Sequence, residues 1–121
     1  MKKAFQKSKI ELDKNLIIEE EFTISGGKRA KKELLALDST KQPTAIFAAS
    51  DNQAIGALEE IKAAGLSVPK DFAIVGYDNI ELAHYLNLTT VAQPMTKMGK
   101  LGVEILAKII LDKQNQISQK V

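Results

Sequence analysis

Thr44-Ala45-Ile46-Phe47-Ala48-Ala49-Ser50-Asp51-Asn52 opens the stretch that decides the fold, and Val68-Pro69-Lys70-Asp71-Phe72-Ala73-Ile74-Val75-Gly76-Tyr77-Asp78-Asn79 closes it. Each half is an apolar run ending in polar residues. The first run, 44–49, mixes β-branched, aromatic and small residues, which predicts a strand buried on both faces. Ser50 or Asp51 can cap a following helix, on which Ala54, Ile55, Leu58 and Ile61 recur at helical spacing. Gly65 stops that helix and Pro69 prevents its resumption. Residues 72–76 predict the second strand. A strand–helix–strand unit makes the two strands parallel, with both carboxyl ends on one edge. Ligands of open α/β sheets bind outside that edge. Ser50, Asp51, Asp78 and Asn79 are therefore expected to converge where a small polar molecule can sit.

Outward from this unit the pattern continues. Residues 2–9 read as a helix tail with Ala4 and Phe5 on its apolar side, and no capping residue precedes it. That suggests the chain starts inside a helix of a longer protein. Leu16-Ile17-Ile18 predicts a short strand. Ser25 is a candidate N-cap for a helix to about Leu37 that buries Ala30, Leu34 and Leu37. Beyond Asn79, residues 80–88 suggest a short helix and turn, and Thr89–Ala92 a strand broken by Gln93-Pro94. An amphipathic helix follows from about Met95 to Leu111, with Met98, Leu101, Gly102, Ile105 and Ile109 on one stripe. Residues 112–121 read as a polar linker or frayed end. Such alternation predicts an α/β fold with a mainly parallel sheet.

The 121 residues allow one ordinary domain, and 45% hydrophobic content is that of a globular chain. Seventeen Lys and Arg against fifteen Asp and Glu leave +2, too little to imply nucleic acid or a membrane surface as partner. The basic residues cluster at Lys2, Lys3, Lys7 and Lys9 and at Lys28, Arg29, Lys31 and Lys32, which read as two solvated helix faces. The absence of cysteine excludes disulfides, thiol nucleophiles and thiolate metal sites. No apolar run approaches a membrane span, and there is no signal-like segment, so a cytoplasmic location is expected.

Catalytic chemistry finds little support. Ser25-Gly26-Gly27-Lys28 lacks P-loop spacing and a preceding buried strand. His84 is the single histidine, so no histidine-based metal cluster forms, and a general base would need an orienting partner. No metal or cofactor is expected. Asp51 reads either as a helix cap or as a ligand contact, and Asp78 either as a turn residue or as a ligand acceptor. Phe22 reads either as core or as an aromatic face for a sugar or base.

At these residues a family resemblance is plain. Pro43 to Asp51, Ala54-Ile55-Gly56-Ala57, Gly65 to Asp71, Ile74 to Asn79, Leu88-Thr89-Thr90-Val91 and Gln93-Pro94-Met95 with Met98-Gly99 stand in the order and spacing of one family. They resemble the effector-binding core of the lactose/galactose repressor (LacI/GalR) family over about residues 1–112. The resemblance implies a periplasmic-binding-protein-like (class I), Rossmann-like three-layer lobe, here truncated. Residues 1–93 would form the C-terminal lobe of the core, 94–112 a helix returning to the other lobe, and 113–121 a linker or disordered tail.

The same resemblance implies the site. Phe22 matches the aromatic that packs on the effector. Ser50 stands where the family often has an asparagine that contacts effector hydroxyls, and Asp51 follows it. Asp78 matches the carboxylate accepting from ligand hydroxyls or amines, and Gln93 lies near the pocket. Ile55 and the segment with Leu82, Tyr85 and Leu86 match surfaces of dimerisation. The implied function is effector sensing in a transcription regulator, with a sugar or sugar phosphate as effector and no catalysis. The implied assembly is a homodimer that reaches DNA only through a helix-turn-helix head outside this chain. A phosphorylated co-regulator protein is compatible with Gln93-Pro94-Met95. The second expectation is a periplasmic or extracellular sugar-binding protein of a transport system.

Overall fold

The computed structural model describes residues 2–118. In chain order the elements are helix α1 (Lys2–Lys7), helix α2 (Ile24–Leu35), strand β1 (Ala45–Phe47), helix α3 (Asp51–Ala63), strand β2 (Ala73–Asp78), helix α4 (Glu81–Tyr85), strand β3 (Thr90–Ala92) and helix α5 (Met95–Ser118). The strands lie in the order β1-β2-β3 and both pairings are parallel. Ile46 lies opposite Ile74, and Tyr77 opposite Val91. A mixed α/β lobe with a parallel sheet is therefore present.

Local chemistry explains the central unit. Ser50 caps α3, its hydroxyl oxygen accepting from the Gln53 N–H at 3.2 Å. Gly65, at φ +74°, ends it: the Gly65 N–H returns to the Lys62 carbonyl and the Leu66 N–H to the Ile61 carbonyl. That reciprocal pattern is a Schellman motif, and a left-handed residue there is what glycine supplies without steric cost. Asp71 then closes the turn into β2, accepting from the Ser67 N–H at 2.8 Å and hydroxyl at 2.9 Å. The core lies between α3 and one face of the sheet, where Ala54, Ala57, Leu58 and Ile61 meet Ala48, Phe72 and Ile74.

Helix α2 packs against α3 by unusually close backbone approach, and its Lys31 and Leu35 reach the core at Phe72. A Cβ on Gly27 would fall 2.0 Å from the Gln53 carbonyl oxygen, and one on Gly56 2.0 Å from that of Ile24. Only glycine admits this spacing. Lys28 and Lys32 then reach Glu59 and Glu60 across the pair, at 2.6 and 3.8 Å.

Several expectations are corrected. Leu16-Ile17-Ile18 is no strand. Asp13 accepts from the Asn15 N–H and starts one 3-10 turn over Lys14–Leu16, and no neighbouring strand pairs with the residues after it. Thr23, not Ser25, caps α2, because its extended backbone directs the hydroxyl at the Gly26 N–H, 3.0 Å away. Residues 44–49 are not buried on both faces: β1 is an edge strand with Ala45 and Phe47 exposed and only Ile46 turned inward. Within the basic cluster of α2, Lys28, Arg29 and Lys32 stay at the surface and pair with carboxylates, but Lys31 leaves the expected solvated face and is wholly buried. The tail expected over 113–121 is helical as far as Ser118, and 119–121 lie outside the described residues.

Candidate functional site

The carboxyl ends of the three strands gather the polar residues, as a parallel sheet requires. Asp51 organises this edge from beneath. It is fully buried, one carboxylate oxygen accepting from the Ile80 N–H at 2.8 Å and the other from the Thr90 hydroxyl. The first helical residue of α3 thus pins the loop after β2 and the start of β3. Gly76 makes room for it, since a Cβ there would lie 2.2 Å from Asp51 Oδ1. Asp51 offers no surface to a ligand, and Ser50 is buried with its hydroxyl engaged as the α3 cap.

Above this frame sit Asp78 and Asn79, both at positive φ, +120° and +61°. Asparagine tolerates that region, whereas an aspartate at +120° stores strain of about 1–3 kcal/mol that the surroundings must enforce. The enforcing contacts are the Asn79 N–H to Thr90 Oγ1 at 3.2 Å and the Ile80 N–H to Asp51. The Asp78 carboxylate is half-buried and takes no hydrogen bond or ion pair among the described residues. Gln93, half-buried, donates its backbone N–H to the Asp78 carbonyl at 3.4 Å.

Phe22 stands free, 66% exposed, immediately before the α2 cap. Its approach is held firmly. The Gln53 side-chain amide donates to the Glu20 and Glu21 carbonyls, both at 3.0 Å. The Arg29 guanidinium grips the Glu20 carboxylate at 2.6 and 3.0 Å and Glu21 at 3.2 Å. Its hydrogen bonds hold the Glu20 carboxyl below the usual range and raise Arg29 further. Gln53 and Arg29 escape a sequence reading because their partners lie on another element; Glu19-Glu20-Glu21 beside a basic helix was the available signal.

The expected dimer residues separate. Leu82, Tyr85 and Leu86 are exposed around α4. Ile55 is only 2% exposed and cannot form an interface. It turns inward because α3 is covered on two sides, by the sheet and by α2. A cleft of about 660 Å³ lined by Phe5, Ile10, Leu12 and Ile17 lies apart from the strand edge and includes none of its residues.

A parallel-stranded lobe with an uncommitted carboxylate and a glutamine at its strand ends, and an exposed aromatic before α2, belongs to the α/β class that holds small ligands outside the carboxyl edge. The chain is a member of the periplasmic binding protein-like domain family, whose model matches residues 1–121, and is of the LacI/GalR effector-binding type. It is 42% identical over 102 residues to the HTH-type transcriptional repressor PurR of Aliivibrio fischeri, covering 83% of this chain and 30% of that protein. It is 43% identical over 111 residues to the ribose operon repressor of Haemophilus influenzae, covering 90% and 33%. The structure of a LacI family transcriptional regulator from Enterococcus faecium with bound ribose superposes with a TM-score of 0.79 at 33% identity, covering 91% of this chain and 40% of that one. The chain spans about a third of the length of the curated relatives it matches. Among the described residues no helix is long and apolar enough to cross a membrane.

Proposed function

We propose that this chain is the effector-sensing part of a LacI/GalR-type transcription regulator and has no catalytic role of its own. The observation that carries the reading is Asp78, an unpaired carboxylate held at positive φ on the carboxyl edge of a parallel sheet. Such a group accepts from the vicinal hydroxyls of a sugar or sugar phosphate. Gln93 supplies an amide beside it, and Phe22 a face for the ring. Ser50 and Asp51 contribute by shaping the edge, through the α3 cap and the tie to Ile80 and Thr90. The bound ribose of the Enterococcus faecium regulator supports the ligand class.

Residues 1–93 form one lobe on this reading, and 94–112 lead toward a second. DNA is reached through a head outside residues 1–121. Leu82, Tyr85 and Leu86 serve a homodimer, and the protein acts in the cytoplasm. Relatives named as repressors favour this reading over a transport binding protein. Control through a phosphorylated partner protein is compatible with it.

The test is calorimetry with ribose and related sugars on the regulator that contains this chain, with and without Asp78→Ala. Loss of one charge-assisted hydrogen bond of about 1.5–3 kcal/mol lowers affinity roughly 10- to 150-fold. The melting temperature should stay, because a carboxylate at an open edge supports no core. Unchanged affinity, or a collapse in melting temperature, would remove Asp78 from the site.

A further inference from the structure

Phe22 is exposed, so packing alone does not set its direction; the backbone on either side of it does. On its C-terminal side the chain is tied to α2, where the Thr23 hydroxyl accepts from the Gly26 N–H at 3.0 Å. On its N-terminal side it is tied to α3. The half-buried Gln53 uses its side-chain amide there, donating to the Glu20 and Glu21 carbonyls at 3.0 Å each, which engages both amide hydrogens. The Glu21 carbonyl also accepts from the Thr23 N–H at 2.7 Å, which bends the chain tightly about Phe22. Glycine at position 26 leaves room for that carbonyl, which a Cβ would strike.

Gln53 is itself fixed to the strand edge. It sits in the first turn of α3, its backbone N–H donating to Ser50 Oγ at 3.2 Å. Asp51, in the same turn, carries the tie to Ile80 and Thr90. One helical turn and its hydrogen bonds thus join the loop that follows Asp78 to the residue before Phe22. The Arg29 fork lies outside this connection. Its guanidinium is 50% exposed and the Glu21 side chain 73%, and ion pairs that solvent reaches so freely contribute little.

We propose, resting on the effector-sensing reading of this edge, that Gln53 is a positioning residue for the ligand. Its side-chain amide holds the 20–22 backbone against α3, so that the Phe22 ring stands ready at the strand edge, and Arg29 is a lesser brace. A segment held before binding does not have to be ordered when the ligand arrives. The ordering of a single backbone residue is enough to change affinity about 5- to 30-fold.

The full-length regulator that contains this chain is titrated with ribose by calorimetry, unsubstituted and as Gln53→Met, Phe22→Ala and the double variant. Methionine keeps nearly the length of glutamine and has no donor. Gln53→Met should weaken ribose binding about 5- to 30-fold, and should weaken it no further once residue 22 is alanine. Its melting temperature should stay, because water can replace the amide at these two carbonyls. Amide exchange across residues 19–24, which needs no ligand, should quicken in Gln53→Met while Ile74 keeps its protection. Arg29→Met should lower affinity by less than about 5-fold. An equal loss from Gln53→Met with and without Phe22 would overturn the proposal, since Gln53 then acts on the lobe at large. Undiminished ribose affinity in Gln53→Met, or unaltered exchange across 19–24, would overturn the positioning role alone where Phe22→Ala binds weakly. Full affinity in Phe22→Ala would overturn it together with the placement of Phe22 in the site.

Discussion

Replacing Asp51 by alanine tests whether one buried carboxylate builds the strand edge. In the native chain it is fully buried and receives two hydrogen bonds, from the Ile80 N–H and the Thr90 hydroxyl. Alanine leaves both donors facing the space once held by the carboxylate. Each unsatisfied buried donor costs about 1–3 kcal/mol, and water entering the small gap recovers part of that, so the expected loss is about 2–4 kcal/mol. Asp51→Asn should lose less, about 1–2 kcal/mol, because its carbonyl oxygen still accepts one bond. Thr90→Val alone should cost about 1 kcal/mol, and less in the Asp51→Ala background, since the two groups share one interaction. The assay is urea unfolding at constant m-value, with amide exchange at Ile80 as the local readout. Exchange at Ile80 should quicken in Asp51→Ala more than at Ile74. The reasoning fails if Asp51→Ala loses under 1 kcal/mol, or if the Thr90 effect is the same in both backgrounds.

Lys31→Met should stabilise the chain by about 1–2 kcal/mol at pH 7, since an apolar isostere of similar length relieves an unpaired buried ammonium. Lys31 Nζ lies 3.2 Å over the Phe72 ring centroid with no hydrogen-bond partner among the described residues, and burial lowers its pKa to about 8. The folded state therefore binds fewer protons than the unfolded state between about 8 and the usual 10.5, so native stability should rise with pH across that window. The advantage of the methionine is full below pH 8 and fades towards 10.5; a gap that stays constant with pH, or a destabilised variant at pH 7, would refute this. Gly56→Ala should cost about 1–3 kcal/mol in urea despite the better helix propensity of alanine, because its Cβ collides with the Ile24 carbonyl. A neutral or stabilised Gly56→Ala would mean that α2 and α3 can separate freely.

Much of the fold is legible from residues 44–79 because its causes are local. Apolar runs of the right length, a helical repeat between them, Gly65 at the stop and Pro69 after it act over a few residues, and the connection length alone makes the strands parallel. The gathering of polar residues at one edge follows from that topology. What only tertiary structure decided is which polar residues face outward and which are consumed within. Ser50 and Asp51 stand side by side in sequence beside Asp78 and Asn79, but the cap claims one and the Ile80–Thr90 tie claims the other. Those partners lie 29 and 39 residues away from Asp51 and belong to no local pattern. Leu16-Ile17-Ile18 has strand chemistry but no strand beside it to complete a ladder. Lys31 belongs by type to a solvated face, yet Gly27 and Gly56 draw α2 so close to α3 that the lysine is enclosed over Phe72. Burial depends on how near another element comes, and that distance is set by glycines on two helices at once, which periodicity along either one cannot express.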